Sequence, residues 1–490
     1  MKRYLAFIDG EWTEPHGQDW LVSHNPFSGE AWAQIPRCNS EDVRRAVYAA
    51  KRAFESGPWP LMSAADRGAL VASLGHAIRA RAHELAETEV RDNGKLLSEM
   101  LAQLRYIPRW FEYYGGLADK IEGTVPSIDK ADTFAFTRHE PLGVIAAITP
   151  WNSPLLLLAW KIAPALAAGN TVVIKPSEFS SASTLELMQL VDELRFPPGV
   201  INVVTGFGEE AGAPLVRHPD VAKIAFTGSD VRGQSIYEQA ARDIKSVTLE
   251  LGGKSPNIVF EDADLDAALN GAVAGIFAAS GQTCIAGSRL LLHASIHDDF
   301  VARLVERARA ARLGDPMDPA TQVGPITTPA QFSMILEHIE VAKREGARCV
   351  LGGGPAPGLP GGQFVLPTIF TEVDSGMRIA QEEVFGPVLA VLRFRDEEEA
   401  VHLANDVRLG LAAGVWTRDI ARAFRLVARL RVGTVWVNTY RAVSYLMPFG
   451  GYKRSGLGRE NGIEGMRPYL QTKSVWINAG APLGNPFLMR

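Results

Sequence analysis

The chain has 490 residues, 47% hydrophobic and 21% charged, with a formal net charge of -5. At roughly 150 residues per domain this predicts about three domains or two large ones, with ample apolar material for globular cores. The acidic balance disfavours a nucleic-acid partner, which calls for a basic face. Three cysteines, Cys38, Cys284 and Cys349, make neither a disulfide framework nor a metal-ligand cluster. Asp9 and Glu11 interrupt the apolar residues of the N-terminus, so no signal peptide is readable. The most apolar run, LLLLAW at 155–160, is far shorter than the ~20 residues of a membrane helix. The expectation is a reduced, cytoplasmic protein with no metal, nucleic-acid or membrane partner.

In chain order, the first 40 or so residues read as short strands and turns, with NPFSGE at 25–30 as loop. Residues 40–120 turn helical. SEDVRRAVYAAKRAF opens on Ser40 as a candidate N-cap, and Val43, Ala46, Val47 and Ala50 share one face. From 144 to 252, short apolar runs such as VIAAIT, TVVIK, INVV and KIAF alternate with helical stretches. That alternation predicts a parallel sheet with helices on both faces. A second αβ region runs from about Lys254 to Tyr452, and its first helix carries Leu265, Leu269, Val273 and Ile276 at helical spacing. TFAFTRHEPLG (133–143) and QTKSVWIN (471–478) read as strands outside both sheets. Such strands pair with each other or with a neighbouring subunit, because folded proteins cover exposed edges.

Open parallel sheets bind ligands beyond the carboxyl ends of their strands, and the distinctive residues fall there. Pro150, Trp151 and Asn152 follow VIAAIT, Lys175 and Glu178 surround the end of TVVIK, and Glu250 lies near the end of SVTLELGG. GFGEEAG, with Gly206, Gly208 and Gly212, departs from the GxGxxG fingerprint, which requires glycine at Ala211; its glycines equally suit tight turns. In FTGSDVRG, Gly228 and Ser229 open a helix whose first N–H groups can hold a pyrophosphate. Lys175 and Glu178 either stand solvated in a loop or face a ribose.

Cys38 and Cys349 read as inert buried thiols. Cys284 differs, since glycine, alanine, serine and threonine surround it and leave room for a substrate. No nearby histidine suggests a papain-like pair. Glu250, followed by Gly252 and Gly253, suits a general base for water.

VTLELGGKSPNIVF and GQTCIAGSRL resemble the paired active-site signatures of the aldehyde dehydrogenase superfamily. ITPWNSPLLLLAWKIAPALAAGNTVVIKPSE, AFTGS, QEEVFGPVL and MPFGGYKRSGLGRE are similar to family segments in the same order, so the resemblance spans nearly the whole chain. It implies an α/β fold with a Rossmann-like, parallel-sheet cofactor domain (1–122 and 143–252). A second αβ catalytic domain would cover 253–453, and a small β oligomerisation ribbon would come from 123–142 and 454–490. It implies Cys284 as nucleophile and Glu250 as the base for thioester hydrolysis. Asn152 and the Cys284 N–H would be the oxyanion donors, one such donor typically being worth ~3 kcal/mol.

For the cofactor, the resemblance implies Lys175 and Glu178 at the adenosine ribose, and Gly228 and Ser229, with Gly208 and Gly233, around the pyrophosphate. Pro150 and Trp151 would lie beside the cofactor, and Glu383 and Phe385 would position the nicotinamide ribose and ring. NAD is the expected cofactor, with NADP left open. Many relatives carry an aromatic residue where this chain has Ser153. With Trp160 as an apolar wall and Arg441 at the mouth, the pocket is expected to admit a bulky, ring-bearing or acidic aldehyde, Arg441 reading equally as a solvated rim residue. Two other functions compete: a coenzyme-A-acylating dehydrogenase, disfavoured by Glu250, and a non-catalytic cofactor-binding scaffold, disfavoured by Cys284, Glu250 and Asn152 together. A homo-oligomer, dimer or tetramer, is expected.

Overall fold

The computed structural model describes residues 1–480 and 487, so the end of the expected 454–490 segment (481–486 and 488–490) lies outside the described residues. Among them, the larger main sheet has eight strands. Their spatial order is Gly456–Leu457, Ser246–Glu250, Val221–Thr227, Val144–Ile148, Thr171–Lys175, Ile201–Val203, Ala6–Ile8 and Glu11–Thr13. The five from Ser246–Glu250 to Ile201–Val203 are parallel. Val144–Ile148 and Thr171–Lys175 are buried at every residue, as strands covered on both faces must be. The chain steps outward from Val144–Ile148 to Ile201–Val203, then returns to the opposite side at Val221–Thr227. The strand order therefore reverses between Val144–Ile148 and Val221–Thr227, the kind of point where α/β sheets open a ligand crevice.

A second, seven-stranded sheet is ordered Arg348–Leu351, Thr368–Thr371, Val388–Phe394, Arg289–His293, Pro256–Val259, Ala412–Trp416 and Thr434–Val437. It is parallel except at the antiparallel Arg348–Leu351 edge. This is the α/β, two-sheet architecture that the strand-helix alternation predicts. The two strands outside these sheets pair with each other: Thr133–Pro141 and Leu470–Asn478 form an antiparallel ribbon over nine residue pairs.

The first long helix, Ser40–Glu55, is capped one residue earlier than expected. Asn39 is the N-cap: its side-chain oxygen accepts the Glu41 N–H at 2.9 Å, and its own N–H donates to the Asp42 carboxylate at 3.0 Å. Ser40 becomes the first helical residue, because Asn39 and Asp42 together satisfy end groups that a serine at position 40 would leave open. Val43, Ala46, Val47 and Ala50 form the buried stripe. In the helix Leu265–Phe277, Leu269 and Ile276 are buried, whereas Leu265 and Val273 pack only partly against the same core.

Candidate active site

The two sheets meet end to end in opposite senses. The first presents the carboxyl ends of its strands: Thr149 to Asn152 after Val144–Ile148, Lys175 ending its strand, Gly228 and Ser229 after Val221–Thr227, and Glu250 ending Ser246–Glu250. The second presents what precedes its strands: Lys254 before Pro256–Val259, Cys284 before Arg289–His293, and Glu383 and Phe385 before Val388–Phe394.

Several contacts join the two edges. The Asn152 Nδ2 donates to the Gln282 carbonyl at 3.0 Å, and the Gly253 N–H donates to the Glu383 carboxylate at 3.0 Å. The rings of Trp151 and Phe385 stand perpendicular, with centroids 5.3 Å apart. A Cβ at Gly253 would lie 2.4 Å from the Cys284 carbonyl oxygen, and one at Gly252 would lie 2.2 Å from Glu383 Oε2. The Gly252–Gly253 pair is thus what permits the Cys284 and Glu383 loops to close on the strand end.

The Cys284 loop has an unusual backbone. After Leu265–Phe277, Ala279, Ser280 and Gly281 take successive positive φ values of 55°, 52° and 70°. For each of the two non-glycine residues this costs roughly 1–2 kcal/mol, offset by a set of anchors. The Ala279 N–H donates to Glu99 at 2.7 Å, Ser280 Oγ to the Gly324 carbonyl at 2.9 Å, and Gln282 Nε2 to the Pro325 carbonyl at 3.2 Å. The Thr327 N–H returns a bond to Gln282 Oε1 at 2.9 Å. Across residues 281–288, Cys284 is the one residue that is not buried. Its neighbourhood still disfavours the thiolate: burial first, then the Glu383 and Glu250 carboxyls, push the thiol up to about 12, against the pull of Lys95.

Glu250 is buried, and neither carboxyl oxygen has a hydrogen-bond partner. Burial, reinforced by Glu460 and opposed by Lys161 and Arg459, holds it well above the usual carboxylate range. Behind it, Lys161 Nζ donates to Glu460 at 2.5 Å and to Thr227 Oγ1 at 2.7 Å, forming a fully buried ion pair. A buried carboxyl without a partner is costly unless a ligand or water completes it, and a carboxyl held above its ordinary range suits proton exchange with water. Glu383 is raised to about 7, chiefly by burial, against the Gly253 N–H and Lys254.

At the other strand ends, Lys175 Nζ lies 3.4 Å from the half-buried Glu178 carboxylate, and burial lowers the Lys175 pKa. Ser229 is the N-cap of the helix Asp230–Ala240, its Oγ accepting from the Arg232 N–H at 3.4 Å, and the Gly228 N–H donates to the Glu250 carbonyl at 3.0 Å. Pro150 is half-buried. Gly233 turns toward the sheet, where a Cβ would come 2.4 Å from Leu251 Cδ2. Gly208 is exposed at the start of the π-helical turn Gly208–Gly212, with nothing near its missing side chain.

On the third side, Trp160 stacks on Trp110 (centroids 6.0 Å, 20° between planes) and meets Phe449 edge-on at 5.1 Å. Tyr445 and Tyr113 extend this wall. Arg441 is half-buried, with φ 65°, and donates to the Ala274 carbonyl at 3.1 Å. Ser153 is not beside an empty space, because the buried Lys95 Nζ donates to its Oγ at 3.2 Å. Sequence reading missed Lys95: within DNGKLL, after the left-handed cap Gly94, it resembles any solvated lysine at a helix end. It also missed Trp110, Tyr445 and the Lys161–Glu460 pair, whose significance lies in partners hundreds of residues away.

Comparison with known proteins matches this fold. The sequence model of the Aldehyde dehydrogenase family covers residues 12–475. The chain is 45% identical to the (Z)-2-((N-methylformamido)methylene)-5-hydroxybutyrolactone dehydrogenase of Acinetobacter baylyi, over the full length of both. It is 44% identical to the betaine aldehyde dehydrogenase of Bacillus subtilis, over 96% of this chain and 97% of that one. Among solved structures, the betaine aldehyde dehydrogenase of Staphylococcus aureus in complex with NAD+ superposes with a TM-score of 0.97. It is 41% identical and covers 99% of this chain and 97% of its own. The NAD+ complex of aldehyde dehydrogenase from Bacillus cereus gives a TM-score of 0.96 at 44% identity, covering 98% and 97%. The fold and crevice define an oxidoreductase of the α/β, parallel-sheet class. The chain belongs to the aldehyde dehydrogenase family.

Proposed function

We propose that the chain oxidises an aldehyde to the carboxylic acid with NAD, through a thiohemiacetal and then a thioester on Cys284. The observation that carries this reading is the partial exposure of Cys284 within an otherwise buried loop, which the Asn152 amide bonds at Gln282 and whose sulfur feels the unpartnered Glu250 carboxyl. The sulfur attacks the carbonyl carbon. Asn152 Nδ2–H and the Cys284 N–H stabilise the resulting oxyanion, a contribution of about 3 kcal/mol per donor. Collapse of the oxyanion expels hydride and leaves the thioester. Glu250 takes a proton from water, the hydroxyl oxygen adds to the thioester carbon, and the Cys284 sulfur departs as the acid forms. Aldehyde, NAD+ and water become carboxylate, NADH and two protons.

NAD, when bound, supplies the hydride acceptor. The residues present fit it. The half-buried Glu178 carboxylate suits ribose hydroxyls, the Ser229 helix start offers free N–H groups to a pyrophosphate, and the perpendicular Trp151 and Phe385 rings flank the way to Cys284. Two relatives solved with NAD+, one of them with a BME-modified cysteine, support the cofactor and a reactive thiol. Glu178 also repels a 2'-phosphate, so NAD is favoured over NADP. The butyrolactone named for the Acinetobacter relative, together with a serine in place of an aromatic residue at 153, supports a bulky, ring-bearing or acidic aldehyde.

Residues 1–122 with 143–252 would hold the cofactor, and 253–453 would carry the chemistry. The ribbon would join subunits of a cytoplasmic dimer or tetramer: Phe134, Trp476 and Ile477 are 50%, 60% and 49% exposed on it. No helix among the described residues is long and apolar enough to cross a membrane. The test is NADH formation over an aldehyde panel, with and without coenzyme A. Free acid formed at a rate indifferent to coenzyme A is expected. An absolute need for coenzyme A means acylation, and no NADH from any aldehyde means a scaffold.

A further inference from the structure

We propose that Lys95, anchored by Ser153, is a specificity-determining cation that receives a carboxylate carried by the aldehyde substrate. The inference rests on the reading of Cys284 as the nucleophile and names the class of substrate that its pocket selects.

The Lys95 ammonium lies in an unfavourable place. Lys95 is 3% exposed, and among the described residues Ser153 Oγ is the only acceptor of its Nζ donors. An ammonium has three such donors, so two are left without a partner. Charges buried this deeply are normally paired, yet among the described residues no carboxylate lies within ion-pair distance. Two acids act on the ammonium, and each holds a backbone N–H with one carboxylate oxygen: Glu99 that of Ala279 in the Cys284 loop, and Glu89 that of Leu155 at the start of the helix Pro154–Ala167. The second oxygen of each is buried without a hydrogen-bond partner among the described residues. Burial accordingly lowers Lys95 to about 8, with Glu99 and Glu89 resisting and Arg441 assisting.

Its position then says what the missing partner is. Ser153 directly follows Asn152, the proposed oxyanion donor, and Lys95 is the cation whose field is felt by the Cys284 sulfur. Arg441 acts on the same ammonium from the mouth segment, and its one recorded bond, to the Ala274 carbonyl, leaves most of its donors free. The Lys95 ammonium thus ends against Ser153, next to the Asn152 amide that bonds the Gln282 carbonyl of the Cys284 loop, while the Trp160, Trp110 and Phe449 rings stack together in an apolar wall. An anionic group on the substrate supplies a charged acceptor that the Lys95 ammonium lacks.

The test compares 4-oxobutanoate with its methyl ester, which differ mainly in charge, by kcat/KM at fixed NAD. For the wild-type chain the acid is expected to exceed the ester by tenfold or more. Lys95→Met is expected to bring that ratio to about one, whatever it does to the ester rate itself, and Lys95→Arg to restore part of the preference. A wild-type preference for the ester, or an unchanged ratio in Lys95→Met, overturns the proposal. Should Lys95→Met fail to fold, Ser153→Phe decides, because the ring removes the anchor and covers the ammonium: a collapsed ratio supports the assignment and an unchanged one ends it. The nucleophile is judged separately. If Cys284→Ala still forms NADH from either aldehyde, the thioester reading fails whatever the charge preference.

Discussion

Cys38 and Cys284 have almost the same acidity and opposite circumstances. Both thiols are pushed up to about 12, in each case chiefly by burial. Cys38 is completely buried, 3.9 Å from Thr205 Oγ1, with Asp42 as the main charge acting against its ionisation. Cys284 is only partly buried; Lys95 favours its ionisation, and Glu383 and Glu250 oppose it. Resting acidity therefore does not set the proposed nucleophile apart from a structural sulfur. Access does, together with neighbours placed for the steps that follow attack.

The sharpest way to break this comparison is to remove each sulfur in turn. Cys284→Ala is expected to lower kcat on the order of 10^4-fold or more, as loss of a nucleophile does elsewhere. Cys38→Ala is expected to keep kcat within about twofold and to lower stability by about 1 kcal/mol. Steady-state kinetics and a denaturant melt of the two variants read both, and equal loss of activity would erase the distinction. Glu250→Gln comes next: kcat falls by roughly 10^2 to 10^4 while a first-turnover burst of NADH survives, because only thioester hydrolysis needs the base. Loss of the burst along with turnover would show Glu250 acting earlier. Asn152→Ala is expected to cost about 10^2-fold in kcat, with cofactor affinity unchanged by fluorescence titration; weakened NAD binding instead would move Asn152 out of the oxyanion role.

The smallest effect concerns pH. The thiolate is the reactive form, and a thiol pKa far above neutral leaves its fraction growing about tenfold per pH unit between 7 and 9. Iodoacetamide labelling of Cys284 in the free chain, followed by mass spectrometry, is expected to track that slope without a plateau, while Cys38 stays unlabelled. A plateau near pH 7 would mean that the free chain already holds a thiolate. Lys95→Met is expected to slow the labelling further, since it removes the cation that favours ionisation.

Much of this was legible before any coordinates. The strand-helix alternation of 144–252 and the second αβ region correspond to the two main sheets, because periodicity and buried apolar runs are local signals. Asn152, Lys175 and Glu250 stand out because strand ends can be located from those same runs. The cap of the first long helix was misread by one residue, since Asn39 and Ser40 both suit that position and only the Asp42 carboxylate decides between them. Lys95 was silent. Nothing within ten residues of it says that its ammonium ends against Ser153, on a helix start in a separate part of the chain.

What the sequence determined by itself was the inventory: which strands form, which residues follow them, and that one cysteine lies among side chains small enough to admit a substrate. Those properties depend on a few neighbouring residues and on backbone preferences that act over one turn or one strand. The tertiary structure alone decided that the carboxyl ends of one sheet face the residues preceding the strands of the other. Only that packing brings the Asn152 amide onto the Cys284 loop, leaves Glu250 buried without a hydrogen-bond partner among the described residues, and ends the Lys95 ammonium against Ser153. Contacts across such distances follow from how whole layers pack, and no local pattern carries that information.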